Sequence, residues 1–174
     1  MKRHARNAFA ALVATLLGAG SAAAAESVAA PTTGPQSPVE VFWAEPATFS
    51  EVRLSMNPRA ALQGDWVRRL ADHVRDVASR RLPAGERLEV VIQDIDRAGE
   101  LTSGSGTRIM RDLSAPMIRL SYVHRDARGE VVDYGERTLR DLAYLQGPAR
   151  LDRDPLRYEK RLLDRWLAQA LPAA

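Results

Sequence analysis

Apolar and polar residues alternate with recognisable periods along this chain, and each period implies an element. Val39, Val41 and Trp43 alternate with Glu40, Phe42 and Ala44 ahead of Pro46, which predicts a short first strand. Trp66, Leu70, Val74, Val77 and Ala78 then recur at helical spacing. Asp65 precedes them as a candidate cap, and Pro83 and Gly85 close the run. The other face of this helix carries Arg68, Arg69, Asp72, Arg75, Asp76 and Arg80, the composition of a solvated side with local ion pairs.

Leu88 to Ile95 is a β-branched run, read as a central strand buried on both sides or nearly so. Ile118, Leu120 and Tyr122 alternate with Arg119 and Ser121, and Val131, Val132 and Tyr134 resume after Asp126-Ala127-Arg128-Gly129. This pattern predicts a hairpin turning at Gly129, where a missing side chain tolerates positive φ. Asp154-Pro155 starts a last helix with the stripe Tyr158, Leu162, Leu163, Trp166 and Leu167, and Pro172 stops it.

Two stretches lack a period. Thr48 to Gly64 holds Asn57, Pro58 and Gly64 and reads as irregular, with a turn of helix after Pro58. Asp96 to Thr107, with Gly99, Gly104 and Gly106 and two serines, reads as a mobile loop. The resulting order is strand, helix, strand, hairpin, helix. It predicts an α+β domain: an antiparallel or mixed sheet of about four strands with two main helices packed on one face. If the first two strands are parallel neighbours, the crossover between them is expected to be right-handed.

The first residues change the picture of charge. Lys2, Arg3 and Arg6 precede an apolar stretch from Ala8 to Gly20 and the small residues Ala23-Ala24-Ala25, the pattern of a cleavable export signal over residues 1–25. The apolar stretch is shorter than the roughly 20 residues that a membrane span needs. Residues 26–38, rich in Ala, Ser, Thr, Pro and Gly, read as a flexible lead-in, and residues 39–171 as one domain. All three signal cations leave with the signal, so the 25 Lys+Arg of the chain fall to 22, against Asp+Glu 22. That balance removes the basic footprint of a nucleic-acid binder. With Cys 0, disulfides, thiolate metal sites, thiol nucleophiles and an acylated N-terminal cysteine are all excluded.

Little of the remaining chemistry converges. Asp94, Asp96 and Glu100 leave the central strand and enter the glycine-rich loop, where oxygen ligands for a hard cation could gather. The spacing departs from the calcium-loop pattern. The competing explanation is a turn bond from Asp96 and ion pairs to Arg97, Arg108 or Arg111. His73 and His124 fall on separate elements, Ser103-Gly104-Ser105-Gly106 is a loop composition, and no serine elbow, paired-histidine motif or phosphate loop is present. No cofactor is implied. Among the aromatic residues, Trp66 and Trp166 lie on helix stripes and read as core, while Tyr134, Tyr144, Tyr158 and Trp43 are candidates for core or recognition.

Several segments together resemble a known bacterial family. They are Val39-Glu40-Val41 with Phe49 and Arg53, Leu82-Pro83, Ile92 through Glu100, Ile109 through Asp112, Leu120-Ser121-Tyr122, Gly135-Glu136 and Tyr158-Glu159-Lys160. This set resembles the domain of unknown function 3016 family, over roughly Val39 to Trp166. The resemblance implies an exported envelope protein of Gram-negative bacteria and carries no activity, cofactor or catalytic residue. The expected function is a non-catalytic binding or accessory module of the periplasm, with an envelope protein or small ligand as partner. The alternative is a small metal-dependent or hydrolytic enzyme using the Asp94, Asp96 and Glu100 corner, with Arg108 or Arg111 holding an anion.

Overall fold

A computed structural model describes residues 37–146 and 152–171. Residues 1–25, read above as an export signal, most of the expected lead-in and Pro172 lie outside the described residues. The chain runs β1 (Val39–Trp43), α1 (Ser50–Arg53), α2 (Pro58–Leu62), α3 (Trp66–Arg81), β2 (Arg87–Asp96), β3 (Glu100–Leu101), β4 (Arg108–Ile109), β5 (Met117–Arg125), β6 (Val131–Arg140) and α4 (Arg157–Ala170). A four-stranded mixed sheet has the order β1-β2-β5-β6, with β1 parallel to β2 and the other pairs antiparallel. The α+β architecture expected from periodicity is therefore the one observed.

The core is the helix-facing side of that sheet. Val39 and Val41 of β1, Leu88, Val90 and Ile92 of β2, and Ile118, Leu120 and Tyr122 of β5 are buried against Leu70, Val74, Leu163, Trp166 and Leu167. Burial of each such side chain contributes about 1.5 to 3 kcal/mol, which is why the alternation fixes the register. The hairpin turns where expected, with Gly129 at φ +84°.

Four expectations need correction. β2 is buried on one face only, because helices cover a single side of the sheet: Glu89 is exposed, and Val91 and Gln93 are half-buried. Asp65 does not cap α3 with its side chain; the carboxylate turns to Arg68 at 3.2 Å, leaving its backbone carbonyl to accept from Arg69. The stretch before α3 holds two short helices, not one turn. Asn57 caps the second through Ala60 N, as a turn after Pro58 requires. Finally, the expected mobile loop folds back as the β3–β4 hairpin, with Glu100 opposite Ile109 and Leu101 opposite Arg108.

That small hairpin sits on a second apolar cluster of Ala98, Ala115, Tyr144 and Tyr158, the two tyrosine rings meeting edge to face at 4.8 Å. Tyr144 adds polar anchoring, donating its hydroxyl to Arg111 O at 2.7 Å and accepting from Arg111 N at 3.1 Å. The hairpin is thus held against the end of the main sheet, beside α1. A cleft opens between them.

Candidate functional site

The cleft forms at the C-terminal end of β2, and a bulge in that strand sets its chemistry. The pairing of β2 with β5 shifts between Ile92 and Asp94, so the buried positions run Leu88, Val90, Ile92 and then Ile95. An unbroken alternation would aim Asp94 at the core. With the bulge, Asp94 and Asp96 both turn away from it.

Asp94 is used locally. Its two carboxylate oxygens accept from Ser50 N and Ser50 Oγ, each at 2.7 Å, and so cap α1 from a strand 44 residues away. This places the next residue, Glu51, inside the protein at 5% exposure. Glu51 Oε1 pairs with Arg108 Nη2, and Glu51 Oε2 accepts from Arg97 N at 3.0 Å. Arg108 in turn donates through Nη1 to Ala98 O at 3.1 Å and Gly99 O at 3.0 Å.

A second buried carboxylate reaches the same connection from the opposite side. Glu159 of α4, 1% exposed, accepts from Ala98 N at 2.7 Å. Burial pushes its carboxyl above the ordinary range, opposed by that backbone bond and by Arg97 and Arg108. Its Oε2 has no hydrogen-bond partner among the described residues. Arg97 lies over the Trp66 ring, 5.6 Å from its centroid. Gly99 completes the corner at φ +75°, with so little room that a Cβ there would sit 2.5 Å from Ile109 O.

The residues from Arg97 to Gly99 are therefore fixed by Glu51 on one side and Glu159 on the other. The cleft beside them has a volume near 370 Å³ and is lined by Ser50, Glu51, Ser55, Asp96, Glu100, Arg108 and Ser114, with Leu54, Met56 and Leu113 among its walls. Those three apolar side chains are 72%, 79% and 95% exposed. Within the β3–β4 turn, the Ser105 hydroxyl bonds to the Thr102 and Thr107 hydroxyls and accepts from Thr107 N.

The three carboxylates expected at this corner take separate roles. Asp94 caps α1. Glu100 is exposed, accepts from Ser114 Oγ at 2.6 Å and stands 4.0 Å from Arg111 Nε. Asp96 lines the cleft, half-buried, and among the described residues its carboxylate has neither a hydrogen bond nor an ion pair. Burial, with Glu51 and then Asp94 nearby, raises its pKa to about 6; Arg108 and Arg140 pull the other way. No group of three or more His, Cys, Asp or Glu among the described residues is arranged to hold a metal ion. His73 and His124 lie on separate elements and make separate pairs: His73 meets Asp164 at 2.7 Å and His124 meets Glu86 at 2.6 Å.

Of the aromatic candidates, Trp66, Trp166, Tyr144 and Tyr158 are core and Tyr134 is 57% exposed on β6. The pair Glu51 and Glu159 was not legible as functional. Both sit in helices where an isolated acidic residue reads as solvated, and only the fold reveals their burial.

The site and scaffold together define a class: a one-layer mixed sheet with helices on a single face, carrying a half-polar cleft at one end of its central strand. Within that class, the chain belongs to the family described as Protein of unknown function (DUF3016), whose model matches residues 37–169. No curated protein and no solved structure matches it. Among the described residues, no helix is long and apolar enough to cross a membrane.

Proposed function

We propose that this chain is an exported, non-catalytic binding module of the bacterial cell envelope, working in the periplasm, whose ligand seat is the cleft between α1 and the β3–β4 hairpin. One observation carries the reading: Leu54, Met56 and Leu113 stand highly exposed along a cleft whose backbone is held by the buried Glu51–Arg108 pair and by hydrogen bonds to the Glu51 and Glu159 carboxylates. Exposed apolar side chains grouped around a concave, pre-formed site are the usual signature of a binding surface. Export is supported by the pattern of residues 1–25.

A specific observation also favours a second reading, in which Asp96 serves as a general acid or base of a hydrolase: its carboxyl titrates near 6, inside a cleft. The binding reading is preferred because the serine hydroxyls at the two sides of the cleft, Ser50 and Ser114, bond to Asp94 and Glu100 and not to Asp96. An Asp96→Asn variant that loses a measured turnover would reverse that preference.

The test is site-specific photo-cross-linking in cells, with benzoylphenylalanine placed at Leu113 or, as a control, at exposed Ala127 on the far hairpin tip. The expected outcome is a discrete adduct from position 113 alone, recovered from the periplasm and lost in a Leu54→Glu background. An identical smear from both positions, or a chain retained in the cytoplasm with residues 1–25 attached, would overturn the proposal.

A further inference from the structure

The cleft is selective in charge as well as shape. Three of its lining side chains are acidic, Glu51, Asp96 and Glu100, and one is basic, Arg108. Arg108 is already committed, paired with Glu51 and bonded to two backbone carbonyls. Glu100 has Ser114 and, more loosely, Arg111. Asp96 is left over. A half-buried carboxylate without a donor among the described residues is an unfavourable arrangement unless something else supplies the donor, since the group has lost part of its water without gaining a bond.

The apolar side chains narrow the class of donor. A small hydrated cation would gain nothing from Leu54, Met56 and Leu113, whereas a basic side chain flanked by apolar neighbours would satisfy both halves of the site. Their high exposure means they project beyond the cleft, where they can meet the surface that presents the charge.

Building on the binding reading above, we propose that the occupant is a lysine or arginine side chain of a partner protein, flanked by apolar residues, whose ammonium or guanidinium seats on the Asp96 carboxylate. Such binding is acid-sensitive, because the seat is lost when Asp96 takes up a proton. The groups facing Asp96 are Glu51 from α1, Asp94 from its own strand, Arg108 from β4 and Arg140 from β6. The first two resist loss of the proton and the last two favour it; burial tips the balance toward the neutral form. An ionised fraction that follows a midpoint of about 6 falls about tenfold between about pH 7.5 and pH 5, and affinity falls with it.

The experiment is an NMR titration of the folded chain with three blocked tripeptides, acetyl-Leu-Lys-Leu-amide, acetyl-Leu-Gln-Leu-amide and acetyl-Leu-Glu-Leu-amide, at both pH values. The lysine peptide is expected to shift the amides of Ser50, Gly99 and Ser114 saturably, and about five- to tenfold more tightly than the glutamine peptide at the higher pH. Its advantage should vanish at the lower pH and in Asp96→Asn, a variant that removes an unfavourable buried charge and so is expected to fold. Equal or tighter binding of the glutamine or glutamate peptide would overturn the charge assignment while leaving the cleft as a binding site. Absence of cleft shifts with any peptide would overturn the cleft reading too.

Discussion

Glu159 on the last helix holds Ala98, 61 positions earlier in the chain: its carboxylate accepts the Ala98 N–H at 2.7 Å in a site with almost no solvent. This bond ties α4 to the connection that forms the cleft. It also makes a charged residue an internal strut, an arrangement stable only while its donor is present.

Replacing Glu159 with alanine is expected to cost about 2 to 4 kcal/mol, from an orphaned buried N–H together with the space left behind. Glu159→Gln keeps an acceptor and loses the charge. Because burial raises the folded-state pKa of Glu159, protonation favours the folded protein, and the stability it lends is lost as pH rises. The glutamine variant should therefore gain on the parent as pH increases, in urea denaturation followed by circular dichroism. A stability difference independent of pH would contradict the buried-carboxylate assignment.

Arg108 and Glu51 should behave as a unit. Their side chains are 12% and 4% exposed, so Arg108→Ala strands a buried charge and is expected to destabilise by about 3 to 5 kcal/mol. A double variant, Glu51→Gln with Arg108→Met, should recover much of that loss. Thermal melts of the single and double variants give the coupling directly; strictly additive losses would mean that the pair does not clamp the corner.

How far the fold was readable depends on the range of the interactions. β1, α3, β5 and α4 declare themselves through local periods and bury the faces those periods predict, whereas β6 forms as a strand but leaves Val131, Val132 and Tyr134 exposed. The cleft does not declare itself in this way, because its parts are long-range. Ser50 begins a helix only because Asp94, 44 positions later, caps it. Glu51 and Glu159 look like ordinary surface acids until Arg97, Ala98 and Arg108 are brought to them. Asp96 stands out in sequence by its position at a strand end beside glycines, yet what distinguishes it from Asp94 and Glu100 is that no described residue bonds to it, which no sequence pattern displays. The bulge at Gln93, which turns Asp94 out of the core, leaves no local signal either.

Trp166 packs edge to face on Tyr122 at 5.5 Å and is 4% exposed. Truncation to alanine is expected to cost about 3 to 5 kcal/mol, because the cavity lies where helix and sheet meet. An unchanged melt for Trp166→Ala would mean that α4 is not packed on β5.

Asp96 should oppose folding at neutral pH. Its folded pKa of about 6 exceeds the ordinary 3.8, so the stability it contributes is full below the lower value and is lost as pH rises through the upper. Asp96→Asn is expected to stabilise by about 1 to 2 kcal/mol near pH 7.5, after allowance for the group's remaining contact with water, and to change little near pH 3.5. Paired urea denaturations at the two pH values read this out; a destabilised variant at the higher pH would mean that the carboxylate has a protein donor after all.

Among the described residues Asp96 is the cleft carboxyl without a hydrogen bond or ion pair, and the proposed binding chemistry depends on it. Carboxyl-detected carbon NMR of the ligand-free protein follows that one group through its titration. A midpoint of about 6 is the predicted result; a midpoint near 3.8, the value of an ordinary solvated aspartate, would contradict it.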